Sequence, residues 1–266
     1  MEITSLGYRT DLLLLALGGS EVTGAGDHVV VRTPANPTFW WGNFLLLPSA
    51  IRTGEAARWL EVFGRTFPAA KHVAFGIDSV DGVAGAEDEL TAAGFEVERS
   101  TVMTARSVVP PARPNTSSTY RFLSSDDDWE QLVGLALAAN PMDVEDYEGF
   151  VRRREAAHRA VVEAGHGQWF GAFDGGRLQA SLGLLTDGSG VARFQDVQTH
   201  PDDRGQGIAS TLVHTASAYG FEELKAETLV MVADPEYLAI RIYRALGFDG
   251  TETQVQVTKP PAKPGP

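Results

Sequence analysis

The stretch Val197-Gln198-Thr199-His200-Pro201-Asp202-Asp203-Arg204-Gly205-Gln206-Gly207-Ile208-Ala209 decides how this chain folds. It opens on strand-type residues, passes a proline, and runs through Arg204-Gly205-Gln206-Gly207 into Ile208, Leu212 and Ala216 at i, i+4 spacing. A strand, a turn and an amphipathic helix are expected in that order. Glycine at 205 and 207 lets the backbone approach a ligand with no Cβ in the way. The turn aims several free N–H groups at one spot, with the helix dipole behind them, which makes a receptor for a pyrophosphate. Arg204 adds positive charge, and Ala209 keeps the helix surface small. The Lys-Ser/Thr ending of a Walker loop is missing, as is the full spacing of a dinucleotide-binding glycine fingerprint. ATP hydrolysis and NAD binding are both disfavoured.

Upstream, Val109-Pro110-Pro111-Ala112-Arg113-Pro114-Asn115-Thr116-Ser117-Ser118 can continue neither a helix nor a central strand and reads as a linker. Residues 119–123 then read as a strand. Ser125 or Asp126 caps a helix to about Ala139, with Asp127 and Asp128 near its positive end. Asn140-Pro141 breaks that helix, and a longer one is expected over 144–164. Strands follow at 167–174, 177–186 and 190–199, divided by Asp174-Gly175-Gly176 and Asp187-Gly188-Ser189-Gly190, which are hairpin turn signals. Beyond the decisive stretch come a strand at 228–232, a helix at 235–246 and a last strand from Gly247-Phe248 to about Val257. The order β-α-α-β-β-β-α-β-α-β predicts an α/β fold of the α+β kind, a mixed sheet with helices on it.

The first 110 residues hold a second copy of part of this pattern. An offset of 153 puts Pro48 on Pro201, Gly54 on Gly207, Ala56 on Ala209, and Ala92, Gly94 and Phe95 on Ala245, Gly247 and Phe248. The element order agrees: a strand at 39–47, a helix at 54–67, a strand at 72–77 and a helix near 86–93. The expected organisation is a partial, degenerate domain at 1–110, a linker at 111–118, a complete domain at 119–258 and a proline-rich tail at 259–266. In the first copy Ile51, Arg52, Glu55 and Leu90 stand at the offsets of Arg204, Gly205, Ile208 and Tyr243. A carboxylate at 55 would repel a pyrophosphate, so this half is expected to scaffold rather than bind.

The decisive stretch resembles the motif of the GNAT superfamily of N-acetyltransferases, Arg/Gln-x-x-Gly-x-Gly/Ala opening a helix after a strand and a proline. Further on, Ala239-Ile240-Arg241-Ile242-Tyr243-Arg244-Ala245-Leu246-Gly247-Phe248 is similar to that family's closing Ala-x-x-x-Tyr-x-x-x-Gly-Phe signature. The resemblance covers about 119–258 and makes the chain a pair of GNAT-like domains in tandem. It departs at Thr199, where valine is common, and at Glu236, where asparagine is frequent and caps the following helix.

The resemblance implies acetyl-CoA as co-substrate, lying against a splayed strand pair, with the pantetheine arm pairing to backbone at Val197 and Thr199. Gln198, Arg204, Gly205, Gln206, Gly207, Ile208, Ala209, Ser210 and Ala239 complete the implied coenzyme set. It also implies direct acetyl transfer to a small-molecule or peptide amine within one ternary complex. An amine of pKa near ~10 must lose a proton before it attacks. Asp196 is the first candidate base, with His200 or a water relay as rivals. Tyr243 is the candidate acid for the leaving thiolate, against a plain core role at the same position. A non-catalytic acyl-CoA-binding module remains the other reading.

Composition narrows the rest. Apolar residues make up 43% of the chain and charged residues 21%, which is globular composition. With no cysteine there is no disulfide, thiolate zinc site or cysteine nucleophile. A net charge of −13 argues against non-specific nucleic-acid binding. The longest apolar run, 12–17, is too short for a membrane span, and the expected home is the cytoplasm. His158 and His166 carry no metal spacing, so no metal is expected. Arg152-Arg153-Arg154-Glu155 reads as a solvated helix face, and Trp40 and Trp41 as packing residues. A homodimer is compatible with the sequence.

Overall fold

The computed structural model describes residues 1–143 and 145–260. The chain forms two compact units, Met1–Val102 with the chain from Thr251 onward, and Met103–Gly250. Among the described residues, no helix is long and apolar enough to cross a membrane. Most of the expected tail, residues 261–266, lies outside the described residues.

The first unit contains α1 (Leu6–Leu17), β1 (Glu21–Gly24), β2 (Val29–Arg32), β3 (Phe44–Leu47), α2 (Ala56–Thr66), β4 (Val73–Ile77), α3 (Glu87–Ala92) and the first part of β5 (Glu96–Ala105). The second contains β6 (Thr119–Phe122), α4 (Asp126–Ala139), α5 (Tyr147–Glu163), β7 (Gly167–Asp174), β8 (Arg177–Thr186), β9 (Val191–Thr199), α6 (Ile208–Glu222), β10 (Thr228–Ala233) and α7 (Ala239–Ala245). The last strand, β11 (Asp249–Lys259), pairs antiparallel with β4, Val255 facing Ile77 and Val257 facing Phe75. Its Val255 and Val257 are buried with Leu45, Phe63 and Phe75 in the first unit's core. The compact units therefore divide the chain elsewhere than at the proline-rich stretch 111–118, because the closing strand of the second half completes the sheet of the first. The order within the first unit is β1-β2-β3-β4-β11. In the second it is β5-β10-β9-β8-β7-β6, where the Met103 and Ala105 end of β5 joins the core.

The internal repeat is visible in the element bounds. Advanced by 153, α2 falls on 209–219 within α6, α3 on 240–245 within α7, and β5 on 249–258 within β11. Three elements ahead of the repeat, α1, β1 and β2, carry no motif in the sequence. The expected strand at 39–47 begins only at Phe44, because Trp40–Gly42 forms a 3₁₀ turn. Trp40 stacks on His72 and Trp41 packs edge-on against Phe44, as packing residues do. The start expected for α5, Val144, lies outside the described residues, and α5 begins at Tyr147 after Asp146 in the left-handed region. The helix expected from 235 is shorter and begins at Ala239; no side chain caps it, so Glu236 does not replace the missing asparagine.

Helix α4 starts as its sequence requires. Ser125 Oγ accepts from the Asp128 N–H at 3.1 Å, and the Asp128 carboxylate accepts from the N–H groups of Ser124 and Ser125. Arg121 grips the same carboxylate with both Nη atoms, at 2.8 and 2.7 Å. These contacts, the Arg121 hydrogen bond first, hold the Asp128 carboxyl well below the usual carboxylate range. The depressed group adds stability above the unfolded pKa of ~3.9, and loses it as the pH falls further towards the folded value. Asp128→Asn is expected to lower the unfolding free energy by about 2 kcal/mol at neutral pH. Denaturant melts of both proteins should converge as the pH drops below ~4. An equal gap at pH 7 and at low pH would mean that the charge contributes nothing.

Candidate active site

The site begins with a parallel strand pair that comes apart. Strands β9 and β10 pair at Val191–Thr228, Ala192–Leu229 and Arg193–Val230, and the register stops there although both strands continue. A cavity of about 260 Å³ opens beyond, between Phe194 to Val197 on one side and Met231 to Asp234 on the other. On its other edge β9 carries a bulge. Gln195 faces Gly183 and Gln198 faces Ser181, so Asp196 and Val197 share the single opposing Leu182. Asp196 adopts φ +44°, a left-handed conformation that costs a non-glycine residue of order 1–3 kcal/mol. The bend turns its side chain and the neighbouring backbone out of the regular ladder.

Past β9, Pro201–Asp203 forms a 3₁₀ turn, and Gly205 and Gly207 take φ +78° and +75°. Gly207 is the N-cap of α6, and a Cβ there would meet the Arg113 carbonyl oxygen at 2.9 Å. The first backbone N–H to find a partner in the helix is that of Thr211, on the Gly207 carbonyl. The amides of residues 205–210 have no protein acceptor among the described residues. Four of those orphan donors are the ordinary deficit of a helix start, and the glycine turn adds two more. The proline-rich stretch lies beside this turn instead of hanging free. The Asn115 N–H donates to Thr211 Oγ1, and its side-chain amide donates to the Gln206 carbonyl.

The β9 bulge, the glycine turn and residues 111–114 of the proline-rich stretch line one open cavity of about 1160 Å³ within the second unit. Every residue proposed from the motifs is on its wall: Asp196, Val197, Gln198, Thr199, the run from Arg204 to Ser210, Ala239 and Tyr243. His200 is not. Its Nδ1 accepts from the Asp202 N–H, which turns it back on its own 3₁₀ turn. Gln198 Nε2 is buried with no acceptor among the described residues, a donor left for something in the cavity. Tyr243 is 5% exposed, and burial pushes its phenol well above the ordinary tyrosine range. It also belongs to the core, 6.5 Å from Phe248, so the packing role exists whatever else the hydroxyl does.

The reading of Arg152-Arg153-Arg154-Glu155 as a solvated face is half wrong. Arg152 is exposed and Arg153 half-buried, and they pair with Glu130, Glu148 and Asp146. The next two residues turn inward, and Glu155 is only 2% exposed. Its Oε1 accepts from Arg154 Nε and Nη2 at 3.0 and 2.7 Å, and its Oε2 is 2.9 Å from His158 Nδ1. His158 stacks on Trp169 with centroids 4.5 Å apart. Arg154 Nη2 also lies 3.3 Å from Asp196 Oδ2. Burial opposes the charge on both members of the pair, and their partners outweigh it, so Glu155 titrates lower and Arg154 higher than usual. Glu155, His158 and Asp196 place ligand-type atoms within 4.8 Å of one another, yet the Arg154 cation already serves both carboxylates. Three arginines in a row hid this cluster, since nothing in local spacing says which of them faces the core.

The corresponding turn of the first unit is closed by carboxylates. The Gly54 N–H donates to Glu89 Oε2 at 2.7 Å and the Arg52 N–H to Glu55 Oε2 at 3.3 Å. Gly54 has φ +84°, so the turn is kept while two of its donors, those of Arg52 and Gly54, go to carboxylates of the protein itself.

The comparisons with known proteins agree with this geometry. Residues 129–248 match the model of the acetyltransferase (GNAT) family. No curated protein matches the sequence. Among solved structures, the fold is similar to a GCN5-related N-acetyltransferase from Kribbella flavida, with TM-score 0.67, 19% identity, and coverage of 97% of each chain. A conserved protein of unknown function from Staphylococcus epidermidis gives TM-score 0.71 at 11% identity, covering 92% of this chain and 95% of that one. A tandem GNAT protein from the clavulanic acid biosynthesis pathway gives 0.53 at 15%, covering 95% and 89%. The splayed strand pair and the glycine turn thus lie within residues 129–248, the stretch that matches the GNAT acetyltransferase family.

Proposed function

We propose that the protein moves an acetyl group from acetyl-CoA to an amine by direct transfer, in the second unit alone. The observation that supports this most is the row of six unpartnered amides at 205–210 on the cavity wall, beside the opened strand pair. A diphosphate would satisfy donors that otherwise face nothing. The pantetheine arm, itself a chain of amides, would complete the edge of β9 at Val197 and Thr199, with Gln198 Nε2 as a further donor.

In this reading the amine nitrogen attacks the thioester carbon, forming the C–N bond as the C–S bond breaks. The oxyanion formed on the way would lie near the Val197 N–H at the bulge. Asp196 takes the proton the amine must lose, directly or through a water. Tyr243 gives its proton to the departing thiolate. Burial keeps the phenol protonated at working pH, and the same apolar surroundings raise the proton affinity of the thiolate, so donor and acceptor shift together. The first unit scaffolds, because Glu55 and Glu89 already occupy its turn.

The test is thiol release from acetyl-CoA with a panel of amines, run beside thermal melts with the coenzyme alone. Stabilisation by acetyl-CoA with release in the presence of an amine is expected. Stabilisation with no release across the panel would favour the non-catalytic acyl-CoA-binding module.

A further inference from the structure

We infer that the acceptor carries a carboxylate next to its amine, as an amino acid does, with Asp196 meeting the amine and Arg154 the carboxylate. The inference rests on the acetyl-transfer reading and concerns the same cavity. Arg154 lines that cavity from α5, and only one edge of its guanidinium is used. Its Nε and Nη2 are held by Glu155, and Nη2 also faces Asp196. Nη1 has no protein acceptor among the described residues, and it is not sealed from solvent. Asp196 mirrors this. Its Oδ2 is buried towards Arg154, whereas Oδ1 has neither a donor nor a covering wall among the described residues. One unused cationic edge and one unused carboxylate oxygen therefore stand side by side at the bulge.

A plain amine would satisfy Oδ1 and leave Nη1 idle. An acid with no amine would meet the Asp196 charge. A molecule with both groups on the same or neighbouring carbons pairs with each, through charge-assisted hydrogen bonds. Arg154 is also built for recognition rather than free to swing. Buried Glu155 fixes it from behind, and the Phe150 ring lies 5.5 Å from its guanidinium carbon. Little rotamer entropy remains to be lost when a ligand binds. Three neighbouring polar groups are already engaged: His158 with Glu155, the Tyr147 hydroxyl with the Asn140 carbonyl, and Arg204 with the carbonyls of Ala139 and Thr199.

Matched acceptors decide the question: each amino acid against the amine left when its carboxyl is removed, for example phenylalanine against phenethylamine. With acetyl-CoA saturating, kcat/KM should favour the amino acid at least tenfold, chiefly through KM. Arg154→Lys should shrink that ratio at least tenfold, because one ammonium cannot serve Glu155, Asp196 and a ligand together. Arg152→Lys, on the exposed face, should leave the ratio unchanged. Equal use of both acceptors by the native protein, or a preference for the decarboxylated amine, overturns the inference and leaves acetyl transfer standing. Thiol release with neither kind overturns both.

Discussion

Ala209→Glu is expected to weaken acetyl-CoA binding by roughly 10²-fold without weakening the fold. The residue occupies the second position of α6, on the cavity wall among the unpartnered amides. A carboxylate there stabilises the helix end, so the free protein should melt no lower than the native one. Facing a diphosphate at about 5 Å, the same charge costs about 3 kcal/mol at an effective dielectric of ~20. The comparison variant is Thr53→Glu, exposed in the equivalent turn of the first unit, where carboxylates already hold the flanking Arg52 and Gly54 amides. It should leave the thermal shift produced by acetyl-CoA intact. Loss of the shift in the Thr53 variant alone would move the coenzyme to the other half of the chain.

Tyr243→Phe is the second large effect. It removes one hydroxyl from a residue that is otherwise core, packed near Phe248 with Ile240 and Leu246. Stability should change by less than about 1 kcal/mol, since the ring volume stays and no protein partner of the hydroxyl is lost. Turnover should fall by about 10²-fold or more, the usual worth of a positioned proton donor. KM for acetyl-CoA should stay near its native value, because the hydroxyl is asked to act on the thiolate as it forms. A rate unchanged in single-turnover thiol release would leave Tyr243 as packing and place the proton elsewhere.

Much of this molecule was legible because its signals are local. The glycine turn at 205 and 207, the Ser125 and Asp128 capping box and the Gly247-Phe248 ending each state a backbone conformation within a few residues. The repeat was legible for a related reason, since two copies of one element string preserve their spacing even where side chains have drifted. Other features had no such signal. Helix α1 has buried and half-buried residues around much of its circumference, and its first amides are held by Asp78 and Glu252, far away in sequence. The inward turn of Arg154 and Glu155 depends on which side of α5 meets β7 and β9, which periodicity in a charged helix does not declare.

From the order of its residues alone, this protein was committed to a strand, a glycine turn and a helix whose first amides lack partners. Backbone sterics and hydrogen-bond arithmetic act over a few residues and need no knowledge of the rest. Tertiary structure decided which chain segment closes each sheet, where β9 and β10 part, and which arginine stands behind Asp196. Those outcomes come from packing between segments far apart in sequence, where burial sets the cost of every unpaired charge.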